Sequence, residues 1–142
     1  MAHIRPPTAA EFEVARRMVK AARLDPTTPL VFEHTLIAEM DGKVVGAGQI
    51  KHHPGCQELG SLVVLPDYRR QGIAAQLIDG LEARAERPLY LTCLQPMEAY
   101  YARFGYRRID ARAMPTYYRR RLPLYALMLL FGFRPLVLRK DA

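Results

Sequence analysis

Apolar and polar positions along this chain follow two periods, and the switches between them mark out its elements. After His3-Ile4-Arg5, which reads as a short edge strand, apolar residues stand at 12, 15, 18, 19 and 22. That spacing puts them on one face of a helix. Thr8 and Glu11 lie three apart at its start, the spacing of a capping box. Asp25-Pro26-Thr27-Thr28-Pro29 interrupts the pattern and predicts a loop. Residues 34–40 and 43–53 then read as strands joined at Asp41-Gly42, a strong hairpin signal. Pro54-Gly55 turns the chain into a further strand that ends in Leu62-Val63-Val64-Leu65, a buried, β-branched run. Pro66, which has no N–H for a ladder, stops it.

Helical spacing returns at 73, 74, 77, 78, 81 and 85. Pro88 opens a second buried strand at 89–94, and a helical crossover between two such strands makes them parallel. Residues 97–104 read as a short helix that Gly105 caps. Strands are expected at 107–110 and 134–139, with a helix at 115–131 between them. Strands and helices are mixed throughout, so the class is α/β. No repeat, low-complexity segment or linker appears, and 142 residues fit one domain, 1–142.

Charge changes this picture more than composition does. Residues 1–100 carry 11 Lys/Arg against 12 Asp/Glu, whereas residues 101–142 carry 10 against 2. The formal +7 of the whole chain is therefore a property of its last third. Such a patch attracts phosphates, acidic substrates or anionic surfaces, and a plain solvated basic face is the ordinary alternative. No nucleic-acid motif accompanies the arginines, so nucleic acid is not an expected partner. Cys56 and Cys93 lack metal-type spacing, so two reduced thiols and no metal site are expected. The first residues lack signal-peptide character, and a cytoplasmic location is the expectation.

The stretch from Leu62 to Ala85 carries the chemistry. A buried strand runs into Tyr68-Arg69-Arg70-Gln71-Gly72-Ile73-Ala74 and then into a helix. A turn of this kind gathers free backbone N–H groups at a helix N-terminus, where the dipole adds partial positive charge. Gly72 allows close backbone approach, and Arg69 and Arg70 add full charges. The ligand this suits is a pyrophosphate; an ordinary strand-to-helix turn with solvated arginines is the alternative. The order Val64-x-Pro66-x-Tyr68-Arg69-x-x-Gly72-x-Ala74 resembles the acetyl-CoA-binding signature of the GNAT N-acetyltransferase superfamily, Arg/Gln-x-x-Gly-x-Gly/Ala. A second landmark follows in Tyr100-Tyr101-Ala102-Arg103-Phe104-Gly105-Tyr106 and resembles that family's aromatic segment after the next strand. The resemblance covers residues 1 to about 110.

The resemblance implies a mixed, mostly antiparallel sheet of six to seven strands, flanked by helices and splayed at the acetyl-CoA site. It implies acetyl-CoA as co-substrate and acetyl transfer to a primary amine of a small or amino-acid-like acceptor. Val63, Val64 and Leu65 would bind the pantetheine arm, and Arg69, Arg70, Gln71, Gly72, Ile73 and Ala74 the pyrophosphate. Tyr101 takes the place of the residue that returns a proton to the departing thiolate; a buried core tyrosine is the competing reading. For the base the candidates are Glu58, His52 and His53, with Glu58 preferred and a water chain from backbone carbonyls as the alternative. Two positions depart from the family: Gly60 stands where many members have glutamate, and Leu94-Gln95-Pro96 replaces a polar group after the strand. These departures keep a second class open, a non-catalytic acyl-CoA-binding or interaction module.

The last third holds a basic, apolar insertion at about 112–133, longer than the family's usual connection. Its apolar run of twelve residues, 122–133, is shorter than the roughly twenty that span a bilayer. Leu124, Leu127, Met128, Leu130 and Phe131 follow helical spacing, and packing on the sheet or across a homodimer is expected. A helix lying on an anionic membrane surface is the alternative.

Overall fold

The computed structural model describes residues 1–23 and 28–141. Most of the loop expected at 25–29 lies outside the described residues. The chain forms two compact units, Met1–Lys51 with Leu59–Ala85, and His52–Glu58 with the residues from Glu86 onward. Seven strands follow the order β1-β2-β3-β4-β5-β7-β6, and β4 (Cys56–Val64) contributes to both units. The sheet is mixed and mostly antiparallel, as expected.

In the first unit β1 (His3–Arg5) pairs antiparallel with β2 (Thr35–Met40), and β2 with β3 (Lys43–His53). The β2–β3 hairpin turns on Asp41 (φ 51°) and Gly42 (φ 78°), both left-handed, as the favoured two-residue hairpin turn requires. Helix α1 (Ala9–Ala21) starts in the expected capping box. Glu11 N–H donates to Thr8 Oγ1 at 3.3 Å, and Thr8 N–H donates to Glu11 Oε1 at 2.9 Å. The Arg5 guanidinium also grips Glu11 at 2.7 and 2.8 Å, which ties β1 to the helix start. That guanidinium, with the backbone donors at Thr8, lowers the Glu11 carboxyl to about 2.

Helix α2 (Ile73–Glu82) buries Ile73, Leu77, Ile78 and Leu81, four of the six positions that the periodicity singles out. Two glycines of β3 make room for it. A Cβ at Gly48 would stand 2.9 Å from Leu81 Cδ1, and one at Gly46 would stand 3.1 Å from Leu77 Cδ1. Each buried leucine is worth roughly 1.5–3 kcal/mol of transfer free energy. A neighbouring core joins Ala15, Leu30, Ile37, Val44 and Ala47, with Phe12, Met18, Val19 and Val63 packed against it.

In the second unit β5 (Leu89–Leu94) pairs parallel with β4 through Gln57↔Leu89 and Glu58↔Tyr90. On its other side β5 pairs antiparallel with all of β7 (Pro135–Lys140), whose far edge carries the short β6 (Arg107–Arg108). Helix α3 (Glu98–Ala102) continues into a closing turn in which Gly105 N–H donates to Ala102 C=O and Tyr106 N–H to Tyr101 C=O. Gly105 takes φ 94°, so the expected glycine cap is in place.

The insertion departs from expectation. The single helix read at 115–131 is two, α4 (Thr116–Arg119) and α5 (Leu122–Leu130). Pro123 separates them: it lacks the N–H that a continuous helix would give to Arg119 C=O. Tyr118 of α4 is fully buried with Tyr90 and Val137. Helix α5 buries no residue, so the expected packing of Leu124, Leu127, Leu130 and Phe131 against this chain's own sheet is not realised.

Candidate active site

The first unit holds the turn at which pyrophosphate binding is expected. Gly72 caps α2 in the left-handed conformation (φ 79°) and offers no side chain to the helix N-terminus. The N–H groups of the first turn, those of Ile73 and Ala74 among them, therefore lack an intrahelical acceptor and point out of the helix end. A Cβ at Gly72 would meet no atom within 4 Å, so it would project into open space at the cradle. Arg70 is also left-handed (φ 63°), and Arg70 and Gln71 are exposed. Ile73 divides its roles: its side chain is buried in the core while its backbone belongs to the cradle.

Val63, Val64, Leu65 and Arg69 come together along one cavity of about 440 Å³. The Arg69 side chain donates from Nε to the Val64 carbonyl at 3.1 Å, which fixes the guanidinium at the strand's end. The opposite wall is α1, through Val14, Arg17, Met18, Ala21 and Ala22. The sequence reading missed this wall. Its one signal is Val14, an apolar residue off the buried stripe of α1. Also missed was Ser61, which takes φ 53° inside β4 and accepts a hydrogen bond from Gln49 Nε2 at 3.0 Å. A left-handed residue within a strand re-aims the backbone that follows, here the groups of Leu62 and Val63. Gly60-Ser61, small and polar in an apolar strand, was the available sign.

Gly60 has a packing reason. A Cβ there would stand 2.6 Å from Lys51 Cε, so the Lys51 stem occupies the space a larger side chain would need. Lys51 is itself buried and donates to Thr28 Oγ1 at 2.5 Å.

The second unit holds the titratable groups. Glu58 is 3% exposed and both of its carboxylate oxygens are engaged. His53 Nε2 lies 2.7 Å from Oε1, and the Thr92 hydroxyl donates to Oε2 at 3.0 Å. The imidazole is held on its other side by Tyr117, whose ring stacks on it at 3.6 Å and 11°. Of the two candidate histidines, His53 therefore joins Glu58, while the exposed His52 is not part of the pair. His53 also stands in the wall of a polar cavity of about 410 Å³ lined with His52, Cys56, Glu86, Arg87 and Tyr90. Below the pair the Tyr118 hydroxyl is buried with no hydrogen-bond partner among the described residues. Burial and the facing Glu58 charge hold it protonated.

Tyr101 sits in a different cluster, edge-on to Tyr100 at 5.2 Å and to Tyr106 at 6.4 Å. Burial, with the neighbouring Cys93 and Tyr100, pushes its phenol up to about 12. The hydroxyl is thus a proton holder across the physiological range. It makes no hydrogen bond with another described residue, and no contact joins it to the Glu58 cluster among those residues.

Residues 7–106 match the Acetyltransferase (GNAT) family. No curated protein matches the sequence. Solved structures share the fold at low identity. N-acetylglutamate synthase of Neisseria gonorrhoeae, complexed with coenzyme A and N-acetyl-glutamate, superposes at TM-score 0.74 with 16% identity over 99% of this chain. This chain spans only 35% of that larger protein. An acyl-CoA N-acyltransferase of Pseudomonas aeruginosa is similar over its whole length, with TM-score 0.72, 18% identity and 99% of this chain covered. The ribosomal-protein-S18-alanine N-acetyltransferase of Escherichia coli gives 0.65 and 17%, covering 99% of this chain and 94% of its own. With the family match spanning residues 7–106, well over half of its length, the chain belongs to the GNAT acetyltransferase family.

Proposed function

We propose that this protein transfers the acetyl group of acetyl-CoA to a primary amine of a small-molecule or amino-acid-like acceptor. The observation that carries the reading is the α2 N-terminus at Gly72, which has no side-chain cap and follows three residues after Arg69, the last residue in the wall of the cavity that Val63, Val64 and Leu65 also line. The fit to an acyl-CoA is chemical. Arg69, Arg70, Gln71 and the N–H groups of Gly72, Ile73 and Ala74 would hold a pyrophosphate, and the backbone of Val63, Val64 and Leu65 a pantetheine arm. When bound, acetyl-CoA supplies an activated acyl carbon and a thiol leaving group.

The chain's own residues then hold and move protons. Tyr101, its phenol raised to about 12, carries a proton that it can give to a thiolate. With Nε2 placed 2.7 Å from Glu58 Oε1, the tautomer that carries its proton on Nε2 would donate to the carboxylate and present Nδ1 as the acceptor. Glu58, fully engaged, orients the imidazole and stabilises it once charged, the role a buried carboxylate plays behind a histidine base. The base is in this reading the pair and not the carboxylate alone.

A panel of primary amines, followed by free thiol release, tests the proposal. Tyr101→Phe should lower turnover by about 10²–10⁴-fold, the usual contribution of general acid catalysis, with acetyl-CoA affinity unchanged. Glu58→Gln should lower turnover and alter its pH profile. With Tyr101 raised, the wild-type rate should show no alkaline fall through the ordinary phenol range near about 10. Acetyl-CoA binding with no thiol release for any amine would replace this reading by a non-catalytic acyl-CoA-binding module.

A further inference from the structure

Helix α5 and the turn after it present an apolar surface that no other described residue covers. Leu124, Leu127, Leu129, Leu130, Phe131 and Phe133 are all exposed, Leu130 to 81% and Phe131 to 72%. Single exposed leucines are ordinary; six large apolar side chains within ten residues are not. The surface also has a defined shape. Phe133 N–H donates to Met128 C=O at 3.0 Å and Gly132 N–H to Leu129 C=O at 3.1 Å, with Gly132 at φ 84°. These two bonds close the helix end and satisfy the Met128 and Leu129 carbonyls, so Leu130, Phe131 and Phe133 project from a fixed tip. Each carbonyl bonded in this way lowers the cost of bringing the tip to an apolar phase.

Charge selects the occupant. Residues 111–140 hold seven Lys/Arg and no Asp or Glu. Arg120 stands before α5 and Arg134 after it, both exposed, and Arg112 is exposed as well. A second copy would bring the same positive flanks, Arg120 before α5 and Arg134 after it, against their like. A surface with negative charge outside and hydrocarbon beneath complements both features at once. No helix among the described residues is long and apolar enough to cross a membrane, and α5, at nine residues, rises only about 14 Å.

We infer that α5 and its closing turn dock this protein on an anionic lipid surface. Leu130, Phe131 and Phe133 enter the boundary between headgroups and acyl chains, while Arg112, Arg120 and Arg134 meet the lipid phosphates. The helix lies on the bilayer and does not span it. This inference is independent of the acetyl-transfer reading, because none of these residues belongs to the cradle, to the His53–Glu58 pair or to Tyr101.

The test is co-sedimentation of the intact chain with two kinds of vesicle, phosphatidylcholine alone and phosphatidylcholine mixed with phosphatidylglycerol. The wild type should bind the mixed vesicles at least tenfold better than the neutral ones. Binding should weaken when salt rises from about 0.1 M to 1 M, which shortens the Debye length from about 10 Å to about 3 Å. Leu130→Ser with Phe131→Ser should lose mixed-vesicle binding at least tenfold with an unchanged melting temperature. Three outcomes would overturn the inference. One is no binding to mixed vesicles. Another is binding that the serine pair leaves intact, which would make the attraction charge alone. The third is a dimer in sedimentation equilibrium that the serine pair splits, which would make α5 a subunit contact.

Discussion

Helices α2 and α5 are nearly equal in length, ten and nine residues, and both are dominated by apolar side chains. One disappears into the protein and the other stays on its surface. In α2 the apolar residues at 73, 77, 78 and 81 share a face, with Gln76, Asp79 and Glu82 elsewhere around the helix. The sheet has a matching floor for that face in Gly46 and Gly48 of β3. In α5, Leu122 to Leu130 carry no charge on any face. A sheet can cover one face of a helix, so an all-round apolar helix on a small protein must leave apolar surface outside. Hydrophobic content alone therefore does not bury a helix. A stripe with a receiving surface does.

The sharpest way to break this comparison is a truncation in α2. Leu77 is 0% exposed, and Leu77→Ala should destabilise the protein by about 2–5 kcal/mol, the transfer term plus the cavity left behind. Urea denaturation read by circular dichroism measures it. A loss below about 1 kcal/mol would mean that the floor of Gly46 and Gly48 collapses readily onto a smaller side chain, and that α2 is not the rigid mount its burial suggests.

The next prediction concerns the two helix ends. Gly72 opens α2 with a left-handed residue and empty space, so Gly72→Val both strains the backbone, by about 1–3 kcal/mol, and fills the cradle. Acetyl-CoA affinity measured by calorimetry should fall at least tenfold, beyond what partial unfolding explains. A folded Gly72→Val protein with wild-type affinity would show that the N-terminus of α2 is not the anion site. Arg69→Ala should act more weakly, since Arg69 already donates to the Val64 carbonyl and shares the charge with Arg70.

The contrast between these helices also explains how much could be read from residues alone. Where a local signal fixes the backbone, the sequence was legible. The Thr8–Glu11 capping box, the Asp41-Gly42 hairpin, the stripe of α2 and the glycine cap at Gly105 all stand where their chemistry required. The turn at Gly72 was legible for the same reason, since a turn, a glycine and a helix start are neighbours in sequence. What depends on distant partners was not. That Glu58 would meet His53 and Thr92 across strands, and that Tyr117 would cover the imidazole, follows from how β4, β5 and α4 are brought together. Residue spacing could not choose between His52 and His53, because both sit beside the same turn. Pro123 was legible at the first turn of the apolar run 122–133, but the helix was extended back to 115 across Arg119, Arg120 and Arg121, a stretch with no breaking residue.

The smallest expected effect completes the comparison from the other side. Leu130 is the last residue of α5 and is 81% exposed, so removing its side chain leaves no cavity and exposes nothing new. Surface changes of that kind stay within about 0.5 kcal/mol. Leu130→Ser should therefore leave the melting temperature within roughly 2 °C of wild type, against a drop of several degrees for Leu77→Ala, in a chain of this size. The pair of measurements is informative because both residues are leucines in helices of nearly equal length, one fully buried and the other exposed. Were Leu130→Ser to lower the melting temperature as far as Leu77→Ala, and to do so more at low protein concentration, α5 would be buried in solution by a second copy. The exposed arginines on either side of it would then meet their like across the contact. A null result, with vesicle binding lost in the same variant, places the apolar surface of α5 at the service of a partner outside the protein's own core.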